Sequence, residues 1–451
     1  MKKSIIYAVL FILLGTSIAF IILRNEKQEE VIPPLKERTG AQGGSEEYKT
    51  TKVKADALLG QIKTDPENIK LKLELASLYI QEGRITGNHV YYDPAVMKLA
   101  NAVLKKDSTN FEANVFKGTI FLSEHHFADG LAMAEKIRKM NPTNAFVYGM
   151  LVDANVELGK YDAAVMNSDK MMSIRPDIRS YSRVSYLREI YGDYPGAIEA
   201  MKLAVSAGPQ GDEGTEWARV HLGQLYENIG DLGNAKMQYA ISLQERSDYA
   251  YGLAGLGRIA RGSGEYKTAI NYFAKADSLV NDYAMKDELT DLYSLDGQKE
   301  KSVASAKEVI DLLTKDAQSG IKDQNIGHYA DRELAYAYLK INDIDKALDH
   351  AMMEYNRRPD NIDVNETLAW VYYQKGDFNY AKKYIDIALK TKSQNPTLLC
   401  RAGLIYGKEG DLARGQEMIK VALEKNPNIN ESLKNEAGKL AQVVVSTPVA
   451  Q

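Results

Sequence analysis

The sequence predicts an all-α protein: a solenoid of repeated helical hairpins, preceded by one N-terminal transmembrane helix. Three observations predict it. Only 12 prolines occur in 451 residues, beside 28 tyrosines, as in a long helical chain. A glycine recurs at spacings mostly of 33 or 34 residues. Nineteen largely apolar residues, 5–23, follow Lys2 and Lys3.

The apolar run comes first. At about 1.5 Å per residue it spans about 29 Å, the hydrocarbon thickness of a bilayer. Cleavage after Ser17-Ile18-Ala19 would leave Phe20-Ile21-Ile22-Leu23 on the new terminus, so 1–24 reads as a retained signal anchor. No cysteine lies near residue 20, which excludes lipoprotein processing. Lys2 and Lys3 favour an exported body, whereas Arg24, Lys27, Lys36 and Arg38 pull the other way. The reading favours export, and a cytoplasmic body stays open. Residues 25–45 carry Pro33-Pro34, Gly40 and Gly43-Gly44 among many charges. They are expected to be a flexible linker with a reach of about 25 Å.

The repeat is defined by three markers in one register. The first series is Gly83, Gly159, Gly192, Gly230, Gly264, Gly297, Gly376 and Gly410, with His125 and Asn342 in the gaps. Tyr79, Tyr226, Tyr293, Tyr338, Tyr372 and Tyr406 stand four residues before a marker. The second series lies five residues after it: Gly130, Ala164, Ala197, Ala235, Ala269, Ser302, Ala347, Ala381 and Gly415. The third is proline seventeen residues on, at 142, 176, 209, 359 and 427. Glycine suits a left-handed helix cap, the small residue lets two helices approach, and proline ends the second helix.

The units that read Leu368-Ala369, Tyr372, Gly376-Asp377-Phe378, Ala381, Ala388-Leu389 and Leu222-Gly223, Tyr226, Gly230-Asp231, Ala235, Tyr239 resemble the tetratricopeptide repeat. The resemblance covers about four-fifths of the chain. It implies a right-handed α-solenoid of about ten repeats over 67–429. A capping helix is expected at 46–66, and a second cap with a tail at 430–451. Three insertions interrupt the register, at 84–92, 210–215 and 315–327.

The resemblance also implies a groove. In that family the second, fifth, ninth and twelfth positions of each repeat face the concave surface. They place Phe146, Arg179, Tyr186, Trp217, Tyr251, Arg258, Arg261, Tyr329, Arg332, Tyr336, Trp370 and Tyr373 there. Both tryptophans of the chain fall in this set. Aromatic residues and arginine are the side chains of binding hot spots. The clamp by which co-chaperones of the family hold a carboxylate is not expected, since no fifth position is lysine and no ninth is asparagine.

Other chemistry finds little support. Lys and Arg total 57 against 61 Asp and Glu, which argues against a nucleic-acid partner. A single cysteine, Cys400, closes no intramolecular disulfide and builds no zinc site by itself. No histidine lies in its repeat to act as a base, so it reads as a small core residue. Gly255-Leu256-Gly257-Arg258-Ile259-Ala260 matches a dinucleotide fingerprint but falls within a helix instead of after a strand. His125-His126 lacks the spacing of a two-histidine metal site, and His125 reads as a surface turn residue. No catalytic residue, metal or cofactor is therefore expected. The functional expectation is a membrane-anchored, non-catalytic scaffold of a bacterial envelope assembly, holding a partner peptide or helix in the groove. A membrane-tethered cytoplasmic adaptor and a glycan-binding envelope protein are the alternatives.

Overall fold

The computed structural model describes residues 32–318 and 326–442. The expected anchor at 1–24 and the tail from 443 lie outside the described residues, as does part of the insertion at 315–327. Among the described residues no helix is long and apolar enough to cross a membrane.

Two helices, α1 (Gly40–Gly43) and α2 (Glu46–Thr64), lead into ten hairpins. Repeats one to three are α3 (Ile69–Thr86) with α4 (His89–Lys106), α5 (Phe111–Ser123) with α6 (Phe127–Met140), and α7 (Ala145–Glu157) with α8 (Tyr161–Ile174). Repeats four to six are α9 (Ile178–Ile190) with α10 (Tyr194–Ser206), α11 (Glu213–Asn228) with α12 (Leu232–Glu245), and α13 (Ala250–Gly262) with α14 (Tyr266–Asp277). Repeats seven and eight are α15 (Tyr283–Leu295) with α16 (Lys299–Gln318) and α17 (Asp331–Lys340) with α18 (Ile344–Arg357). Repeats nine and ten are α19 (Ile362–Lys375) with α20 (Phe378–Ala388) and α21 (Pro396–Glu409) with α22 (Leu412–Lys425). A last helix, α23 (Glu431–Gln442), covers the end.

Local chemistry explains the hairpins. The first helix of eight repeats opens on an Asn or Asp, from Asn68 to Asn395, whose side chain accepts a first-turn N–H. Each such cap contributes about 1 kcal/mol. The hairpin turn is then made by one residue in the left-handed region, as at Gly159 (φ 71°) and Gly376 (φ 84°). His125 (φ 61°) and Asn342 (φ 59°) fill the same role. In five repeats the very next residue is an aspartate that caps the second helix: Asp193, Asp231, Asp343, Asp377 and Asp411. The small residues do what the register requires, since Ala164, Ala197, Ala235, Ala269, Ala347 and Ala381 have no exposed surface. Gly255 and Gly257 lie within α13, where a Cβ would come within 2.5 Å of Tyr239 and 2.6 Å of Phe273. They are packing glycines of a helix.

Repeat one differs from its expected register. Gly83 is helical, and Gly87 (φ 67°) caps α3 one turn later. The segment 84–92 is therefore no inserted loop. It is the extra turn of α3 and the opening of α4.

The linker is corrected over its described part, because residues 32–45 are docked; residues 25–31 lie outside the described residues. Pro33 and Pro34 offer their carbonyls to the hydroxyls of Tyr79 and Tyr91. The Lys36 N–H donates to the Tyr92 hydroxyl at 3.0 Å. Leu35 is buried in the core of repeat one. Arg38 is buried too, forked onto Glu82 and reaching Glu47 at 2.8 Å. The strap then crosses to repeat six. Ala41 N–H donates to Asp248, the Gln42 amide to the Ser247 carbonyl, and Arg246 bonds Glu47 at 2.7 Å.

That crossing reflects a larger arrangement. The array coils so tightly that the turns of repeats one to five touch loops six positions along. Asn281, ahead of repeat seven, donates its N–H to Thr86 O at 2.9 Å. Tyr329, ahead of repeat eight, donates to Glu124 O at 3.1 Å. Asn361, ahead of repeat nine, donates its amide to Glu157 O at 3.1 Å. Gly192 abuts Lys392 and Gln394 ahead of repeat ten, and Gly230 abuts Lys425 and Pro427 ahead of α23. Two coils are thus stacked along one seam.

Candidate functional site: the concave face and its chamber

Coiling turns the concave face of the first helices inward. Polar side chains there link each repeat to the next. Asp153 pairs with Arg183 at 2.5 Å, Asn228 donates to Glu189 at 3.0 Å, and Glu227 pairs with Arg258 at 3.1 Å. Arg261 pairs with Glu288, Lys340 with Asp287 and Asp291 at 2.8 and 3.1 Å, and Arg401 with Glu366 at 3.0 Å. Charges expected to face a ligand are largely bonded within the protein.

Trp217, Tyr251 and Arg258 come together in a chamber of about 440 Å³, within the range of small-ligand sites. Its walls are the first helices of repeats five to seven. Arg84 and His89 of repeat one add to its lining. The Asn281–Thr86 contact brings those residues into place. The floor is apolar, from Val220, Ala254, Phe273 and Met285. The His221 ring lies against Trp217, tilted by 36° with ring centroids 3.8 Å apart. It donates Nδ1–H to the Trp217 carbonyl at 2.8 Å. Burial pushes the His221 pKa down to about 4, so the ring is neutral near pH 7.

A second group gathers Arg332, Tyr336, Trp370 and Tyr373. The Arg401 guanidinium lies 5.2 Å from the Tyr336 ring centroid and 5.0 Å from that of Trp370. Arg401 also donates to the Tyr336 hydroxyl at 2.8 Å. Arg332 donates to Thr367 at 3.3 Å. Trp370 stacks on Tyr373 at 4.9 Å. Tyr373 is buried and donates to Glu436 of α23 at 2.7 Å, so the terminal helix covers it.

The remaining residues lie apart from both groups. Arg179 sits over Phe146 at 5.2 Å. Tyr186 is 41% exposed within the coil. Enclosure by the coil, ahead of the charges of Asp363, Glu157 and Glu189, pushes its phenol well above the ordinary value. Enclosure also raises Glu189 to about 7. Tyr329 is at the seam, stacked on His126 at 3.9 Å with the Arg357 guanidinium 4.3 Å from its ring. His125 is there too, where a surface turn residue is expected. It donates Nδ1–H to the Tyr329 carbonyl at 3.0 Å, and its ring lies 4.3 Å from that of His328. Cys400 is fully buried, and burial lifts its thiol to about 12.

His221 and Arg401 are missed by the groove positions. His221 is four residues beyond Trp217 on one helix face, a spacing that places it beside that ring. Arg84 and His89 carry no local signal, because the coil delivers them.

No family model matches the chain, and no curated protein shows a significant match. Solved structures do show likeness. A chain of the APC/C hetero-tetramer Cut9–Hcn1 is 16% identical at a TM-score of 0.44, over 84% of this chain and 60% of that one. Human IFIT1, as a dimer with PPP-AAAA, is 13% identical at 0.47, over 77% and 80%. Yeast Tom70 is 13% identical at 0.35, over 90% and 98%. This chain thus spans less than two thirds of the first. At these identities and TM-scores none of the three bears on what this chain binds.

Proposed function

We propose that the chain is a non-catalytic scaffold that binds a protein or peptide partner on its concave face, tethered to a membrane through residues 1–24 as part of a bacterial envelope assembly. The chamber carries the reading: it gathers Trp217, Tyr251 and Arg258 around an apolar floor. Half-buried aromatic and arginine side chains around a cavity are the composition of a binding hot spot. The buried thiol of Cys400 suits packing and not nucleophilic attack. The apolar run at 5–23 supports the tether, and Lys2 and Lys3 support an exported body.

Photo-crosslinking in cells tests it. A crosslinker stands in turn at Tyr186, Trp217, Tyr336 and Trp370, with exposed Lys236 of α12 as control. The expected result is one protein trapped from Trp217 and absent from Lys236, its compartment fixing the topology. The same mixture from every position overturns the scaffold reading. A cytoplasmic partner makes the chain an adaptor on the inner face.

A further inference from the structure

The chamber's charges are already answered by protein groups, and this limits what it can hold. Arg84 bonds Glu213 at 3.0 Å, and Arg258 bonds Glu227. Glu288 is held by Arg261. Asp282 caps the Ala284 N–H at 2.9 Å and accepts the Tyr251 hydroxyl at 3.3 Å. A charged ligand would have to break one of these pairs while losing its own hydration, and stripping a partner from a desolvated ion pair is costly. The rings remain available. Trp217 and Tyr251 offer aromatic surface over Phe273 and Met285. Because Nδ1–H of the neutral His221 is committed to a carbonyl, Nε2 is an acceptor on a ring that lines the cavity.

We propose that the chamber binds a neutral aromatic ring carrying a hydrogen-bond donor, of the indole or phenol type. Such a ring packs on Trp217 beside the tilted His221 ring and directs its N–H or O–H at an uncharged acceptor. This deepens the partner-binding reading and rests on it: the ring is a side chain of the partner, or a free molecule of the same chemistry.

Calorimetry on the full chain in lipid nanodiscs tests the proposal without any partner. The probes are indole, N-acetyl-tryptophanamide and the anion indole-3-acetate. Ala284→Phe, which fills the chamber from its wall, measures uptake by the lipid. The expected result is saturable uptake of indole, at least tenfold weaker for indole-3-acetate and abolished by Ala284→Phe. Lys236→Ala, exposed on α12 and outside the chamber, leaves it unchanged. Uptake of N-acetyl-tryptophanamide as well supports a side-chain occupant, and its exclusion beside bound indole supports a free molecule. If Ala284→Phe melts early, His221→Phe replaces it, keeping a ring but removing the acceptor, and at least tenfold weaker uptake is expected. No saturable uptake, equal uptake of the anion, or no effect of the variants overturns the proposal. Crosslinking of a partner beside absent probe uptake leaves the scaffold standing and removes only the chamber's assignment.

Discussion

Gly159 faces the backbone of Asp360, 201 residues further along the chain, so closely that no Cβ fits between them. The glycine makes a hairpin turn of the first coil, and the aspartate lies in a loop of the second. The turn glycines of repeats six, seven, nine and ten (Gly264, Gly297, Gly376 and Gly410) have nothing within 4 Å of a built Cβ. One conformational role thus has two settings, one at the seam and one open.

Gly376→Ala is expected to cost only the backbone strain of a left-handed alanine, about 1–2 kcal/mol. Gly159→Ala adds a steric clash with Asp360 and is expected to cost about 1–3 kcal/mol more. Urea unfolding of the two variants compares them. Equal midpoints would show that the seam is not closed in solution.

Arg38→Ala is expected to cost about 3–5 kcal/mol, because it strands Glu82, which has no exposed surface. Hydrogen exchange should also quicken at residues 36–48, and at Asn281 if the strap holds the first coil shut. Replacing both partners by apolar residues of similar size should cost far less than the single change. Unaltered exchange in Arg38→Ala would count against docking of 32–45.

Ala235→Leu and Ala381→Leu are each expected to force their hairpin helices apart, at about 1–3 kcal/mol. Chemical denaturation reads the loss. In an array the damage passes to neighbouring repeats.

Two groups facing the coil interior give opposite pH dependences. Glu189 ionises at about 7 in the fold, above the ordinary carboxylate range, so its contribution is present at low pH and is lost as pH rises toward 7. Glu189→Gln should therefore leave stability unchanged at pH 4.5 and raise it above pH 7, by about 1–2 kcal/mol after allowance for partial exposure. His221 ionises at about 4, below its ordinary value, so its contribution is present above pH 6.5 and is lost as pH falls toward 4. His221→Phe should flatten that acid limb. Thermal melts from pH 4 to pH 8 measure both.

The hairpins were legible in the sequence because their determinants are local. A left-handed glycine, a capping aspartate and a small residue five positions on all lie within about two helical turns. Repeat one escaped by one turn, since Gly83 stands four residues after Tyr79 while the left-handed cap is Gly87, which none of the three markers picks out. The seam was not legible. His125 reads as a poor substitute for glycine until the Tyr329 carbonyl is brought to its ring. The strap was hidden for the same reason. Its polar and proline-rich composition suits a linker, but its carbonyls meet the hydroxyls of Tyr79 and Tyr91, and Arg38 finds Glu82. Of the concave face, the sequence located Trp217, Tyr251 and Arg258. It did not show that their charges are already bonded, nor that repeat one adds to the lining.

Arrays of this kind ordinarily gain or lose whole units without harm, since each unit meets only its neighbours. The sixth-neighbour contacts remove that freedom here. Excising repeat four would leave the turn of repeat two opposite the loop before repeat nine, so His125 would meet Asn361 in place of Tyr329. The rungs of repeats one and three would be mismatched in the same way. The number of repeats is therefore as much a constraint on this molecule as the identity of any side chain.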